Sequence, residues 1–216
     1  MSALAAQATA TGPDPYDVVF DAVADSQPQL VLEVGSGTGE LAERMARNLD
    51  ARVIAVDQSE RMVDLTNQRG VEAIVGDVQN LPFKDGIFDC AVAAWMLFHA
   101  ENVDLALREL RRILRSDGRV VASTSSQRSM SELWELVGQV GAPVDGFTAE
   151  NAEWSLLRHF TVLQRRDIKG TVTFADREAA YQHVKASPRS DLAEQLPYFD
   201  EPLVATRHVV VYVAEP

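Results

Sequence analysis

Apolar positions along the first 125 residues follow two alternating rhythms. Leu30-Val31-Leu32-Glu33-Val34 is a short, nearly continuous run with β-branched valines, which predicts a buried strand rather than a helix. After glycines at 35, 37 and 39, Leu41, Ala42, Met45, Ala46 and Leu49 recur at helical spacing, with Glu40, Glu43, Arg44 and Arg47 between them. Arg52 to Asp57 predicts a second strand. Ser59 then stands where a helix cap is wanted, Met62, Val63 and Leu65 form an inward face, and Gly70 is a stop signal. Ala73 to Val75, Phe88 to Ala94 and Arg119 to Thr124 are the third, fourth and fifth strands. Between the last two, Val103, Ala106, Leu107, Leu110, Ile113 and Leu114 share one helical face, and Asp117-Gly118 predicts a turn. This alternation predicts an α/β fold: a Rossmann-like open sheet, mostly parallel, with helices on both faces and right-handed crossovers.

Beyond Ser125 the rhythm changes. Met130 to Val140 and Ala149 to Arg158 have helical patterns, Phe160 to Ile168 and Thr171 to Phe174 are strand-like, and Asp176 to Ala186 is helical again. Arg207 to Val213 predicts a final, antiparallel strand that completes the sheet. The expected organisation is one domain over 1–216: an N-terminal arm and helix at 1–27, a cofactor-binding core at 28–125, a helical cap inserted after the fifth strand at 126–187, and sheet completion at 188–216. Ser2 to Thr11 reads as a loose arm, or as a helix that orders only against something else.

Composition narrows the function. The 216 residues are 46% hydrophobic and carry 32 acidic against 20 basic side chains, a net charge of −12. That balance weighs against phosphate backbones and anionic lipid, both of which need a positive face. Arg108, Arg111, Arg112 and Arg115 make a basic stripe, read as a solvated helix face because no aromatics interleave with it. Cys90 stands alone, so neither a disulfide framework nor a cysteine zinc site is expected, and His159, His183 and His208 lack metal-ligand spacing. No metal is expected. No run approaches the roughly 20 apolar residues of a membrane span. The first seventeen residues contain no Lys or Arg, so no secretory or transit signal is read and a cytoplasmic location is expected.

The chemistry centres on Glu33-Val34-Gly35-Ser36-Gly37-Thr38-Gly39. Glycines between a strand and a helix permit positive φ and let a ligand approach the backbone, and the helix amides then offer donors. A dinucleotide loop wants its third glycine at position 40, which is Glu40 here, and Glu33 would repel a pyrophosphate. NAD is therefore disfavoured. Asp57 closes the second strand 18 residues beyond Gly39 and suits a ribose diol, while Asp77 closes the third and suits an adenine amino group. Three acids at the carboxyl ends of adjacent strands suit a cofactor with an amine, a sulfonium and a ribose diol but no phosphate.

With these motifs the chain resembles the class I S-adenosylmethionine-dependent methyltransferases, specifically their type 11 subgroup. The resemblance runs from Leu30 to Thr124. It includes Val31 to Gly39, Ala55-Val56-Asp57-Gln58-Ser59, Gly76-Asp77-Val78 with Leu81-Pro82-Phe83, and Phe88-Asp89. His99, Leu107-Arg108-Glu109-Leu110-Arg111-Arg112-Ile113-Leu114 and Gly118 complete it. Asp117 departs from it, where relatives commonly have a glycine. The resemblance implies S-adenosylmethionine as cofactor and S-adenosylhomocysteine as product. It implies cofactor contacts at Glu33, Gly35, Ser36, Gly37, Thr38, Gly39, Asp57, Gln58, Met62, Asp77, Val78, Ala94 and Trp95. His99, just beyond the fourth strand, is the candidate general base, although it also suits a packing role in that turn. Tyr16 on the arm, Phe98, and Trp134 and Trp154 in the cap, with Phe147, are candidates to line an acceptor. The expected partner is a small-molecule acceptor, and a homodimer is compatible with the sequence. The alternatives are methylation of tRNA or protein, and binding of the cofactor without transfer.

Overall fold

The computed structural model describes residues 8–139, 146–187 and 189–216. In chain order the first elements are β1 (Ala8–Ala10), α1 (Pro15–Ala24), β2 (Leu30–Val34), α2 (Glu40–Asn48), β3 (Arg52–Asp57), α3 (Glu60–Gln68), β4 (Glu72–Val75) and β5 (Phe88–Ala94). After a 3-10 turn at Leu97–His99 come α4 (Val103–Ile113), β6 (Leu114–Ser125), α5 (Ser131–Leu136) and α6 (Ala152–Leu157). Then follow β7 (Thr161–Phe174), α7 (Arg177–Lys185), a 3-10 turn at Ser190–Gln195 and β8 (Leu203–Glu215). The described residues form two compact units. The larger comprises 14–125, 146–167 and 210–216, and the smaller 8–13, 126–139, 168–187 and 189–209.

The larger unit has the strand order β7-β8-β6-β5-β2-β3-β4. The pairs β2–β3, β2–β5, β3–β4 and β5–β6 are all parallel. Parallel strands covered on both sides must be apolar throughout. Accordingly Val31, Leu32, Ala55, Val56, Ala91, Val92 and Ala93 are buried, as are the α4 residues Leu107, Leu110 and Ile113 that pack into the same core. Each of the buried valine, leucine and isoleucine side chains stabilises the fold by about 1.5–3 kcal/mol, and each alanine by less. Of the four arginines expected on one helix face, Arg108, Arg111 and Arg112 lie on α4, whereas Arg115 lies in β6 because the helix ends at Ile113; Arg108 is exposed and the other three have specific partners. Arg112 reaches Glu109 and Asp85, each at 2.7 Å, and the carbonyls of Phe83 and Leu81, and Arg115 pairs with Asp89. Arg111 donates to the His159 carbonyl at 2.6 Å.

Several boundaries differ from the sequence expectation. Asp117-Gly118 does not end an element. It lies within β6, where the register jumps from Phe88 opposite Leu114 to Cys90 opposite Arg119, so a bulge absorbs the turn residues. The two runs expected at 160–168 and 171–174 are one strand, β7. Gly170 sits within it because a Cβ there would lie 2.2 Å from the Thr11 carbonyl oxygen. The helices expected at 130–140 and 149–158 are shorter, and residue 140 lies outside the described residues.

In the smaller unit, part of the expected loose arm is a strand. Residues 8–10 pair antiparallel with β7, Ala8 opposite Phe174, and the Thr11 N–H donates to the Thr171 carbonyl at 2.9 Å. Small residues with no pattern of their own gave no strand signal, and the partner strand supplies the order. This unit has its own apolar core around Leu133, Phe174, Ala180, Val184 and Ala205.

Candidate active site

In the larger unit the chain leaves β2 for β3 on one side and later returns as β5 on the other. This reversal of strand order opens a crevice at the carboxyl ends, where open α/β sheets receive ligands. A cavity of about 430 Å³ lies there. It is within the usual size of a ligand site, roughly 300–1,000 Å³. Its lining comes from four strand ends: Val34, Gly35 and Gly37 after β2, Val56 to Ser59 after β3, Gly76 and Val78 after β4, and Trp95, Met96, His99 and Ala100 after β5.

The glycine loop has two kinds of requirement. Gly39, at φ +77°, caps α2 without a side chain, and a Cβ on it would come within 2.9 Å of the Thr66 Cα. Gly37, at φ +54°, has nothing within 4 Å of where a Cβ would be, so space beside it is open for a ligand. The Gly37 N–H donates to Asp57 Oδ2 at 2.9 Å, and the Ser59 N–H donates to Asp57 Oδ1 at 2.9 Å. Each carboxylate oxygen thus keeps lone-pair capacity for a diol.

Glu33 lies deeper, 3% exposed, and its Oε2 has no hydrogen-bond partner. Burial pushes its carboxyl up to about 8; the Ala42 amide at the start of α2 opposes the shift and the Asp57 charge adds to it. A buried acid with an orphaned oxygen is what a ligand ammonium would satisfy. The donor set therefore fits S-adenosylmethionine: Glu33 toward an amino group, the open space at Gly37, and Asp57 toward a ribose.

Asp77 behaves differently. The Gln79 N–H donates to its Oδ1 at 2.8 Å and the Gln79 side-chain amide reaches both oxygens at 3.2 Å, so it caps the turn after β4 while its neighbours Gly76 and Val78 line the cavity. Ser36, Thr38, Met62 and Ala94 do not line it. Ser36 is buried with its Oγ 3.4 Å from Thr66 Oγ1, and Thr38 is exposed.

Trp95 is held at φ +52°, a backbone conformation costly for a bulky side chain, and its ring lies 4.7 Å from that of Tyr16 on α1. Burial, followed by the charges of Glu40, Glu33 and Asp14, raises the Tyr16 phenol above its ordinary range. His99 is exposed and its ring lies 4.4 Å from Phe98, which packs on the main core. Phe147 is fully buried in that core, and its carbonyl accepts from the Thr124 hydroxyl at 2.6 Å. Trp154 is 78% exposed on α6 and does not line the cavity. Trp134 belongs to the smaller unit, where the Arg189 guanidinium lies 4.8 Å over its ring.

Met96, which the sequence places beside Trp95 and Phe98 on the acceptor side, does line the cavity; five other lining residues were not anticipated: Val34, Val56, Ser59, Gly76 and Ala100. Ser59 was assigned a capping role, yet its side chain makes no cap bond and faces the cavity instead. Val34 and Val56 could have been found, since each is the last apolar residue before a loop that borders the cavity.

Residues 32–122 match the family model described as a methyltransferase domain. Over this segment the chain is similar to methyltransferase domains. The chain is 34% identical over 125 residues to a demethylmenaquinone methyltransferase of Thermobifida fusca, covering 53% of this chain and 52% of the relative. It is 35% identical over 124 residues to a malonyl-[acyl-carrier protein] O-methyltransferase of Erwinia pyrifoliae, covering 55% and 47%. The chain thus spans about half the length of these curated relatives. Its fold is shared with a solved geranyl diphosphate methyltransferase in complex with GPP and sinefungin, at a TM-score of 0.64 and 15% identity over 93% of this chain and 77% of that one. The matched segment includes the glycine loop, Asp57 and the β5 end, and so carries the whole lining of the cavity.

Proposed function

We propose that this protein is an S-adenosylmethionine-dependent methyltransferase acting on a small-molecule acceptor. The observation that carries the reading is the buried, unpartnered Glu33 oxygen on β2, one residue before the cavity-lining Val34 and two before the glycine loop, with Asp57 in the lining at the end of the next strand. When bound, the cofactor supplies a methyl group on a positively charged sulfur, open to in-line displacement by an acceptor lone pair. Glu33 holds the amino group, Asp57 and Gln58 the ribose, and Val78 the adenine edge. Trp95 and Met96 wall the cavity against water, which keeps the acceptor and the methyl group aligned. His99 takes the acceptor's proton. A net charge of −12 and the names of the relatives both favour a small acceptor over nucleic acid.

Titration calorimetry with S-adenosylmethionine, S-adenosylhomocysteine and NAD tests this reading. Binding of the two sulfur nucleosides without NAD supports it, and binding of neither overturns it. Asp57→Ala is expected to weaken S-adenosylhomocysteine binding by about 1–3 kcal/mol, the cost of removing a hydrogen-bond partner from a buried site. Equal affinity in the folded variant would remove Asp57 from the contact set. His99→Ala is expected to leave that affinity unchanged, lower turnover about a hundredfold, and erase the acidic limb of the pH–rate profile. Full activity would mean that the acceptor arrives already ionised.

A further inference from the structure

The glycine loop has a second set of contacts, from the last turn of α3 and from the residue that caps its C-terminus. Thr66 is fully buried in the last turn of α3, and its Oγ1 donates to the Gly37 carbonyl at 3.3 Å. Arg69, three residues on and so on the same face, donates through Nε to the Thr38 carbonyl at 2.6 Å. Its other nitrogens reach Glu43 at 2.6 Å and Glu40 at 3.5 Å, both in the first turn of α2. One guanidinium thus ties the loop to the helix that follows it.

The geometry points to Arg69, with Thr66, as the positioning pair that holds the glycine loop in its binding conformation. This inference rests on the reading of the loop as a cofactor site. The physical need arises from the glycines. They permit the loop's positive φ values, but they equally permit the peptide planes on either side to rotate away. In a trans peptide the N–H points opposite to the C=O. Drawing the Gly37 and Thr38 carbonyls toward α3 therefore turns the Thr38 and Gly39 amides away from it. The Gly39 amide then finds the Ser36 carbonyl at 2.9 Å, closing the turn. α3 also begins directly after Asp57 and Ser59, so one nine-residue helix fixes the loop at its far end and follows the Asp57 wall at its near end.

The test is S-adenosylhomocysteine titration of the wild-type protein, Arg69→Ala, Arg69→Lys and Thr66→Val, together with amide hydrogen exchange. Arg69→Ala is expected to weaken binding roughly tenfold and speed exchange at residues 37–39, while the thermal midpoint hardly moves, because a partly exposed ion pair contributes little to stability. Arg69→Lys, which keeps a cation within reach of the Thr38 carbonyl, is expected to recover part of the affinity. Should Arg69→Ala fail to fold, the lysine and valine variants carry the same comparison. Wild-type affinity in Arg69→Ala, or affinity lost only in step with thermal stability, overturns the positioning role. A wild-type protein that binds no S-adenosylhomocysteine overturns instead the cofactor reading on which it rests.

Discussion

Gly39→Ala is expected to destabilise the protein by about 2–5 kcal/mol and to abolish cofactor binding. Two costs add. A left-handed conformation costs a non-glycine residue about 1–2 kcal/mol. The new Cβ would also come within 2.6 Å of Thr66 Oγ1 and 2.9 Å of its Cα, and forced overpacking of a buried contact costs about 1–3 kcal/mol more. Backbone is involved, so a side-chain rotation cannot relieve it. Chemical denaturation reads the loss directly. Gly37→Ala is the informative companion: with no neighbour within 4 Å it bears only the conformational cost, yet it places a methyl group where the ligand should lie. Equal stability in Gly39→Ala and the wild type would mean that α3 does not pack against the loop as described.

Glu33→Gln is expected to remove a pH dependence of stability. In the ligand-free protein the carboxyl sits near 8 rather than its ordinary value near 4.5. Below that ordinary value it is protonated in both folded and unfolded chains and contributes nothing. Between the two values the folded protein retains a proton that the unfolded chain has released, so stability falls as pH rises. The loss is complete above about 8. At about 1.4 kcal/mol per pH unit of displacement, the total is of the order of a few kcal/mol. The glutamine variant, having no charge to bury, should match the wild type near pH 4 and exceed it at pH 9. Other groups near Glu33, namely Asp57, Glu40 and Tyr16, are common to both proteins and cancel in the difference. Identical pH slopes in the two denaturation series would mean that Glu33 is not buried without a partner. The same variant should bind S-adenosylhomocysteine more weakly, because an amide meets an ammonium with a dipole in place of a charge.

The parallel core was legible because its signals are local. Five apolar runs interrupted by amphipathic spacing leave few other arrangements, and the glycine loop and Asp57 are set by strand ends that the pattern marks. Asp77 shows the limit: its position after β4 was readable, but the competing claim of Gln79, two residues on, depends on a turn conformation that no periodicity reports. Ser59 stands at the N-cap as expected, but its place in the cavity lining was not readable, since a hydroxyl at a helix start can serve either the helix or a neighbouring cavity. Beyond Ser125 the pattern marked most of the elements, but not where they begin and end or which belong together. Residues 8–10 become a strand only through pairing with 172–174, a contact across more than 160 residues, and Trp154 carries the same apolar signature whether it lines a pocket or faces water.

Trp95 has a consequence for anyone seeking a hardier version of this protein. A bulky residue in left-handed backbone is the first place a designer would look for free stability, by substituting glycine or asparagine and relieving about 1 kcal/mol of strain. Here that gain would strip an aromatic wall from the crevice and leave the Tyr16 ring without its neighbour. Thermal robustness and the integrity of the crevice thus pull in opposite directions at this one position, and heat-resistant variants are better sought on the exposed faces of the helices.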